Sequence, residues 1–346
     1  KPLEKRNLSV FQRLLIDEKT QVSDLTHRLL DLAWENYRVK VLGMESRGST
    51  GRGISPAYCD ETSQWQIFYL AFKQDRKLFS QALKGRVQRA MNTIQHVCKV
   101  SPGEWNSFFE TLSEAELRAN AEAIKEGVFQ PEEFDFTRFK GKEGFELEFD
   151  LLEEVYWQAG QELAPCIGDV RDILLESKKT GAPVVAEFGQ AYWLDKRHGF
   201  TPNVTASHTT GAEIFHSGGI PLQPIREIGC CKAYDTKVGT HHFLTQIDHE
   251  SDPLARKLAK LEFGTSTGRQ RMVGWFDSVE KGNALRFAGF DELVINKLDA
   301  LSMEEQWDGQ LRICTAYRFP DGTLTKEVPR SEDVRRTLSP VYESID

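Results

Sequence analysis

With 346 residues, 40% of them hydrophobic and 28% charged, the chain has the composition of ordinary globular protein and length enough for one large domain or two average ones. Its formal net charge of −8 excludes general nucleic-acid binding, which depends on clustered Lys and Arg releasing counterions, so any anion site has to be local. No apolar run approaches membrane length, the opening "KPLEKRNLSV" has no signal-peptide core, and Cys59, Cys98, Cys166, Cys230, Cys231 and Cys314 form neither a C-x-x-C array nor a disulfide scaffold, which fits a reducing cytoplasm.

In chain order, "RLLID" (13–17) reads as a short strand, and "SDLTHRLLDLAWENY" from Ser23 as a capped helix with Leu25, Leu29 and Leu32 on one face. "GSTGRGISPAY" (48–58) is Gly-rich and sets the Ser49 and Thr50 hydroxyls beside Arg52. With Gly43 it mimics G-x-x-x-x-G, but Ser49 stands where a phosphate-binding P-loop requires Lys, so that reading fails and a tight turn is the plain alternative. The segment 64–100 alternates aromatic and basic residues and is expected to be helical. "EGVFQPEEFDFTRFKGKEGFELEFD" (126–150) reads as an irregular insertion whose phenylalanines pack on the body while its acids face water, with 100–160 as an insertion or peripheral subdomain. "IGDVRDILLESKKTGAP" reads as a helix stopped by Gly181 and Pro183, "VVAEFG" (184–189) as a buried strand, and "ELVI" as another strand before Asn296. Apolar strands alternating with amphipathic helices imply an α/β fold with a mostly parallel sheet, whose ligands gather at the carboxyl ends of the strands.

Chemistry concentrates at those ends. "EFGQAYWLDKRHGFTPNVTASHTT" (187–210) presents Gln190, Thr205, Ser207 and two histidines. A side-chain amide there suits recognition of a neutral heterocycle, although Gln190 alone equally suits a loop amide bonded to local backbone. His241, His242 and His249 lack metal-site spacing. "EFGTSTGRQRMVGWFD" (262–277) places Thr265, Ser266, Thr267 and Gly268 before Arg269 and Arg271. Small residues let backbone N–H groups approach a ligand, and two guanidiniums on one side of an extended segment suit a small dicarboxylate; a solvated turn is the alternative. In "NKLDAL" (296–301), Lys297, Leu298 and Asp299 follow an apolar strand. A carboxylate there can accept from both the ring N–H and the exocyclic amine of guanine, a pairing adenine does not offer, while a surface ion pair is the bland alternative.

Taken in order, these stretches resemble the adenylosuccinate synthetase family. "GSTGRGISPAY" looks like its Gly-Thr-Thr-x-x-Gly-Ile-Gly-Pro-Ala-Tyr loop, and 187–210 its Glu-Gly-Ala-Gln-Gly segment running into Tyr-Pro-Tyr-Val-Thr-Ser-Ser-Asn-Thr. "KAYDTKVGT" (232–240) is similar to its Lys-Ala-Tyr-x-Thr-Arg-Val-Gly, "FGTSTGRQRMVGWFD" (263–277) to its Thr-Gly-Arg-x-Arg-x-Gly-Trp loop, and "NKLDAL" to its Thr-Lys-Leu-Asp-Val-Leu. The resemblance implies a single α/β domain of P-loop-NTPase-like type, with a large central, mostly parallel sheet flanked by helices and with peripheral subdomains. It implies a cytoplasmic homodimeric ligase of purine biosynthesis that joins L-aspartate to IMP with GTP and Mg²⁺. By matching position, Thr50 and Thr205 would hold the nucleotide phosphate, Gln190 the base at the reacting 6-position, and Val238 the ribose, with Arg269 nearby. Thr265, Ser266, Thr267, Gly268, Arg269 and Arg271 would hold aspartate, Arg271 would also approach the GTP phosphates, and Lys297, Leu298 and Asp299 would read guanine.

The departures are specific. Gln64 stands where the family has an Arg that reaches a neighbouring subunit's nucleotide, Asn203 replaces a Tyr, His208 an Asn and Lys237 an Arg. The family's phosphate loop with its catalytic Asp, its acid His, and its closing segment have no counterpart, so the chain is expected to be a fragment, with the Mg²⁺ ligands outside it. Two other readings stay open: a phage-type 2-aminoadenylosuccinate synthetase acting on dGMP, and a purine-nucleotide-binding module without catalysis.

Overall fold

The computed structural model describes residues 3–238, 241–263, 270–302 and 310–345. They form two compact units, the first running to Val185 and taking in Gly218–Ile220, the second holding Ala186–Ser217 and the described residues from Pro221 onward.

The first unit begins with strand β1 (Ile16–Asp17), followed by helices α1 (Leu25–Asn36), α2 (Ile54–Thr62), α3 (Arg76–Asn92), α4 (Pro102–Ala119), α5 (Ala121–Lys125) and α6 (Phe149–Leu163), strand β2 (Ile167–Gly168) and helix α7 (Arg171–Thr180). Local signals set these ends. The Asp24 side chain accepts the Thr26 N–H at 2.8 Å, and His27 Nδ1 accepts the Asp24 N–H at 3.0 Å, closing a capping box on α1. Ser101 and Glu104 do the same for α4 with Pro102 in its first turn, and Gly181 ends α7 in the left-handed conformation. Leu25 and Leu29 of α1 are fully buried with Phe79, Leu83, Ile94, Trp105, Phe109 and Leu152. The aromatic segment at 126–150 supplies Phe139 and Leu147 to that same core, with Phe136, Phe145 and Phe149 packed against it. β1 and β2 pair in parallel, Ile16 opposite Ile167.

In the second unit come helix α8 (Glu213–Gly218), strands β3 (Ile228–Lys232) and β4 (Asp235–Lys237), helix α9 (Pro253–Leu261), strands β5 (Met272–Gly274) and β6 (Phe276–Asp277), helix α10 (Ser278–Ala288), strands β7 (Glu292–Asn296), β8 (Leu311–Arg318) and β9 (Leu324–Thr325), helix α11 (Glu332–Thr337) and strand β10 (Ser339–Ile345). β3 and β7 pair in parallel with Cys230 opposite Val294, and β4 and β5 antiparallel with Thr236 opposite Val273. β8 is the centre of a four-stranded sheet, antiparallel to β10 and β9 and parallel to β6. Two apolar clusters fill this unit. One joins Tyr234, Ile247, Leu254, Leu258, Val273, Trp275 and Leu301; the other joins Val279, Cys314, Tyr317 and Leu338.

Helices and parallel strand pairs make the fold α/β, as the sequence led us to expect. The strand expected at 184–189 is not formed, and Val185 is 93% exposed. A strand is completed by a hydrogen-bonded neighbour, and among the described residues this apolar run has none. Among them, too, no helix is long and apolar enough to cross a membrane.

Candidate functional site

In the first unit, the loop around Thr50 is shaped from beneath. Asp31 of α1, 4% exposed, accepts the Gly53 N–H at 3.1 Å and meets Arg47 at 3.3 Å, while Arg28 Nε donates to the Gly51 carbonyl at 3.1 Å. Glu116 of α4 pairs with Arg28 at 2.8 Å and also with Arg52. Gly53 has φ +75°, and a Cβ there would lie 2.7 Å from the His27 backbone, so α1 and the loop touch where only glycine fits. Held this way, Thr50 is exposed at the loop surface.

In the second unit, 187–210 is organised by a residue the sequence reading passed over. Asp195 is fully buried and accepts the N–H groups of Arg197, His198 and Thr209 at 2.8, 3.0 and 2.8 Å, with His208 Nδ1 at 3.1 Å. Burial works to raise its pKa, but these backbone bonds prevail and hold the carboxyl below its usual range. An aspartate that caps the N–H groups two and three residues on is an Asx-turn signal, and that spacing was its legible trace. The half-buried Thr205 donates its N–H to the Leu194 carbonyl at 2.8 Å, and Gln190 is exposed. His208 thus spends one ring nitrogen on a buried carboxylate.

Of the loop expected to hold a dicarboxylate, Thr265, Ser266, Thr267, Gly268 and Arg269 lie outside the described residues. Arg271 is described, in a cluster with three other polar side chains. Glu262, 4% exposed, accepts from Lys232 Nζ at 2.7 Å on both oxygens, from the Tyr234 hydroxyl at 2.6 Å and from Arg271 Nη1 at 3.1 Å. Gln270 Nε2 donates to the Glu262 carbonyl at 3.0 Å, and so does the Arg271 N–H. Burial acts to raise the Glu262 pKa, yet the Lys232 and Tyr234 hydrogen bonds and the two cations hold it below the ordinary value. Tyr234 is pushed far up, chiefly by burial and by Glu262, with the Asp299 charge adding to it, so the far end of the β7 turn acts on the same phenol. Lys297 adopts a left-handed turn (φ 60°) directly after β7. Lys297, Leu298 and Asp299 are exposed, while Ala300 and Leu301 behind them are buried. Among the described residues Lys297 and Asp299 form no ion pair with each other. Val238 is half-exposed next to the described end of β4.

A second buried charge cluster underlies β4 and α10. Lys237 Nζ bonds Glu280 at 2.7 Å and lies over the rings of Phe200 and Phe243, and Lys281 pairs with Asp235. Asp277 caps α10 through Oδ1 and accepts the Tyr317 hydroxyl at 2.7 Å through Oδ2. Burial first, then the Glu280 and Asp235 charges, push its pKa from 3.8 up to about 7. A folded-state value above the unfolded one means that the bound proton stabilises the fold fully below about pH 4, a contribution lost as pH rises through about 7. Thermal melts taken from pH 4 to 8 should therefore show a stability decline that Asp277→Asn, which keeps the helix cap, makes shallower. An unchanged slope would mean that the carboxyl is already ionised throughout.

Three comparisons bear on this arrangement. The family model described as adenylosuccinate synthetase matches residues 1–134 and 114–346. The adenylosuccinate synthetase of Desulfitobacterium hafniense (strain DSM 10664 / DCB-2) is 30% identical over 335 residues, 96% of this chain and 66% of that protein. The enzyme of the same name from Caldicellulosiruptor bescii is 30% identical over 345 residues, 99% of this chain and 68% of that one. The chain spans just under two thirds of the first relative's length. Among solved structures, a fully ligated adenylosuccinate synthetase from Plasmodium falciparum superposes with a TM-score of 0.74 at 21% identity, over 99% of this chain and 69% of that one, a likeness of fold.

Proposed function

Because the chain belongs to the adenylosuccinate synthetase family, we propose that it carries the substrate-holding surface of a cytoplasmic ligase that joins L-aspartate to IMP with hydrolysis of GTP. A carbonyl-like oxygen leaves poorly, so in the first step the purine loses its N1 proton to a base and takes the γ-phosphoryl group on its 6-oxygen, forming that P–O bond and breaking the one to GDP. The aspartate amine then attacks C6, inorganic phosphate departs with the oxygen, and the nitrogen gives up a proton, leaving adenylosuccinate.

In this reading Thr50 and Thr205 hold the nucleotide phosphate, Gln190 touches the base at the 6-position, and Val238 lines the ribose with Arg269 nearby. Thr265, Ser266, Thr267, Gly268, Arg269 and Arg271 take the aspartate carboxylates. Lys297, Leu298 and Asp299 read guanine, with the exposed Asp299 carboxylate accepting from N1–H and the amine. A single enzyme domain and a homodimer complete the proposal, with Gln64 removing one cross-subunit phosphate contact. Mg²⁺, which the family implies, meets among the described residues no group of three His, Cys, Asp or Glu side chains able to hold it, and no step assigned to these residues passes through the ion.

The observation that supports the reading most directly is Arg271, a guanidinium tied to a buried carboxylate at one nitrogen and without an acceptor among the described residues at its buried Nε. The test is to mix the complete gene product with IMP, aspartate, Mg²⁺ and nucleotide and to follow the ultraviolet shift of the purine. GTP should support product, ATP should support it at least about tenfold less well, since one lost two-point base contact is worth over 1 kcal/mol, and dGMP should not replace IMP. Nucleotide binding without phosphate release would leave a non-catalytic module instead.

A further inference from the structure

Arg271 has five N–H donors in a planar fork, and the structure shows which edge is spoken for. Glu262 accepts from Nη1, the nitrogen on the far side from Nε. The edge made by Nε and Nη2 presents two parallel N–H groups, the pair that grips a carboxylate with two bonds. Its Nε is buried and has no acceptor among the described residues. Glu262 cannot wander to that edge, because the Lys232 ammonium holds both its oxygens and the Tyr234 hydroxyl holds one. Lys232 also donates to the Thr236 hydroxyl at 3.1 Å, fixing the ammonium between β3 and β4. The charges of Lys232, Arg271 and Glu262 sum to one positive charge, which suits one more carboxylate.

We propose that Glu262 is a positioning residue: braced by Lys232 and Tyr234, it fixes the Arg271 guanidinium so that the Nε/Nη2 edge is kept from protein acceptors and given to one carboxylate of a small dicarboxylic amino acid. The inference rests on the ligase reading for the identity of that amino acid, but not for the binding of a dicarboxylate. Glu262 touches no substrate; it acts through Arg271.

The experiment is a set of full-length variants. Glu262→Gln keeps shape and still accepts from Lys232 and Tyr234, but loses the charge that orients Arg271. It should raise the aspartate KM about tenfold or more, the usual worth of a charge-assisted bond, while the IMP KM stays near the parent value. The melting temperature should fall, because the new amide N–H groups face Lys232 and Arg271, so the kinetics are read on protein shown to be folded. Glu262→Asp keeps the charge and should recover part of that loss. Succinate binding, measured by calorimetry on the same proteins without nucleotide, should weaken in parallel. Equal losses toward IMP and aspartate, or an aspartate KM unmoved in a folded Glu262→Gln, overturn the proposal. If the parent protein binds succinate and Glu262→Gln does not, while no adenylosuccinate forms in either, the positioning role stands and the ligase reading falls.

Discussion

Arg271→Leu should lower kcat/KM for aspartate by about 10²–10⁴-fold, an estimate that follows from losing two charge-assisted hydrogen bonds of roughly 1.5–3 kcal/mol each. The substitution leaves Glu262 paired with Lys232 and Tyr234, so the carboxylate it abandons remains neutralised and hydrogen-bonded. Stability should therefore change little, and the loss reads on function. Arg271→Lys should recover only a small part, because an ammonium is a point charge without the parallel N–H pair. Initial rates against aspartate at saturating IMP and GTP measure the effect. A Leu variant with an aspartate KM and kcat close to those of the parent would remove the dicarboxylate site from this loop.

How much of this was legible in the sequence depended on whether the cause was local. The apolar face of α1 and the stop at Gly181 are set within a few residues and the structure places them as read, while the helix starts later than expected from Ser23, with Asp24 as its cap. The run at 184–189 was apolar enough to suggest a strand, but composition does not specify a hydrogen-bonding neighbour. Arg271 stood out through its Gly and Thr surroundings. Glu262, nine positions upstream, did not, since an acid near basic residues ordinarily reads as a solvated partner. Its role depends on Lys232 and Tyr234, 30 and 28 positions away, which only the fold brings to it. The same holds for Asp31 and Glu116 under the Thr50 loop. Asp195 differs: its bonds to the N–H groups of Arg197 and His198 are local, and the clue was there to be taken.

The largest expected effect on stability falls in the first unit, at Arg86. Its side chain is 2% exposed, donating from Nη1 to Asp24 at 2.7 Å and to the Val22 carbonyl at 3.1 Å, and from Nη2 to the Trp65 carbonyl at 3.3 Å. Nε lies 3.2 Å from Asp60 but is not aligned to donate to it, so that contact is electrostatic only. Asp60 keeps Arg89 at 2.7 Å and the His27 Nε2–H, whose place is fixed because Nδ1 already accepts from Asp24. Among the described residues no other Lys or Arg pairs with Asp24. Arg86→Met preserves most of the volume and leaves a fully buried carboxylate with the Thr26 hydroxyl and the Thr26 N–H, so the cost should be about 3–5 kcal/mol at neutral pH.

The pH dependence separates this cause from lost packing. In the parent, burial raises the Asp24 pKa, and Arg86, His27 and the Thr26 hydroxyl together more than reverse it, so the carboxyl contributes stability above its unfolded value of 3.8 and loses it as pH falls through the lower folded one. Without Arg86 burial prevails, the folded pKa rises above the unfolded one, and stability is lost as pH climbs instead. Denaturant titrations of the two proteins should diverge most near pH 7 and converge toward pH 4. A difference that is constant across that range would assign the effect to lost packing of the Arg86 stem, which reaches Asp24 at the start of α1 and Asp60 of α2, with the ion network contributing little. Because those two helices flank the loop carrying Thr50, a true network loss should also raise the KM for IMP while leaving that for aspartate alone.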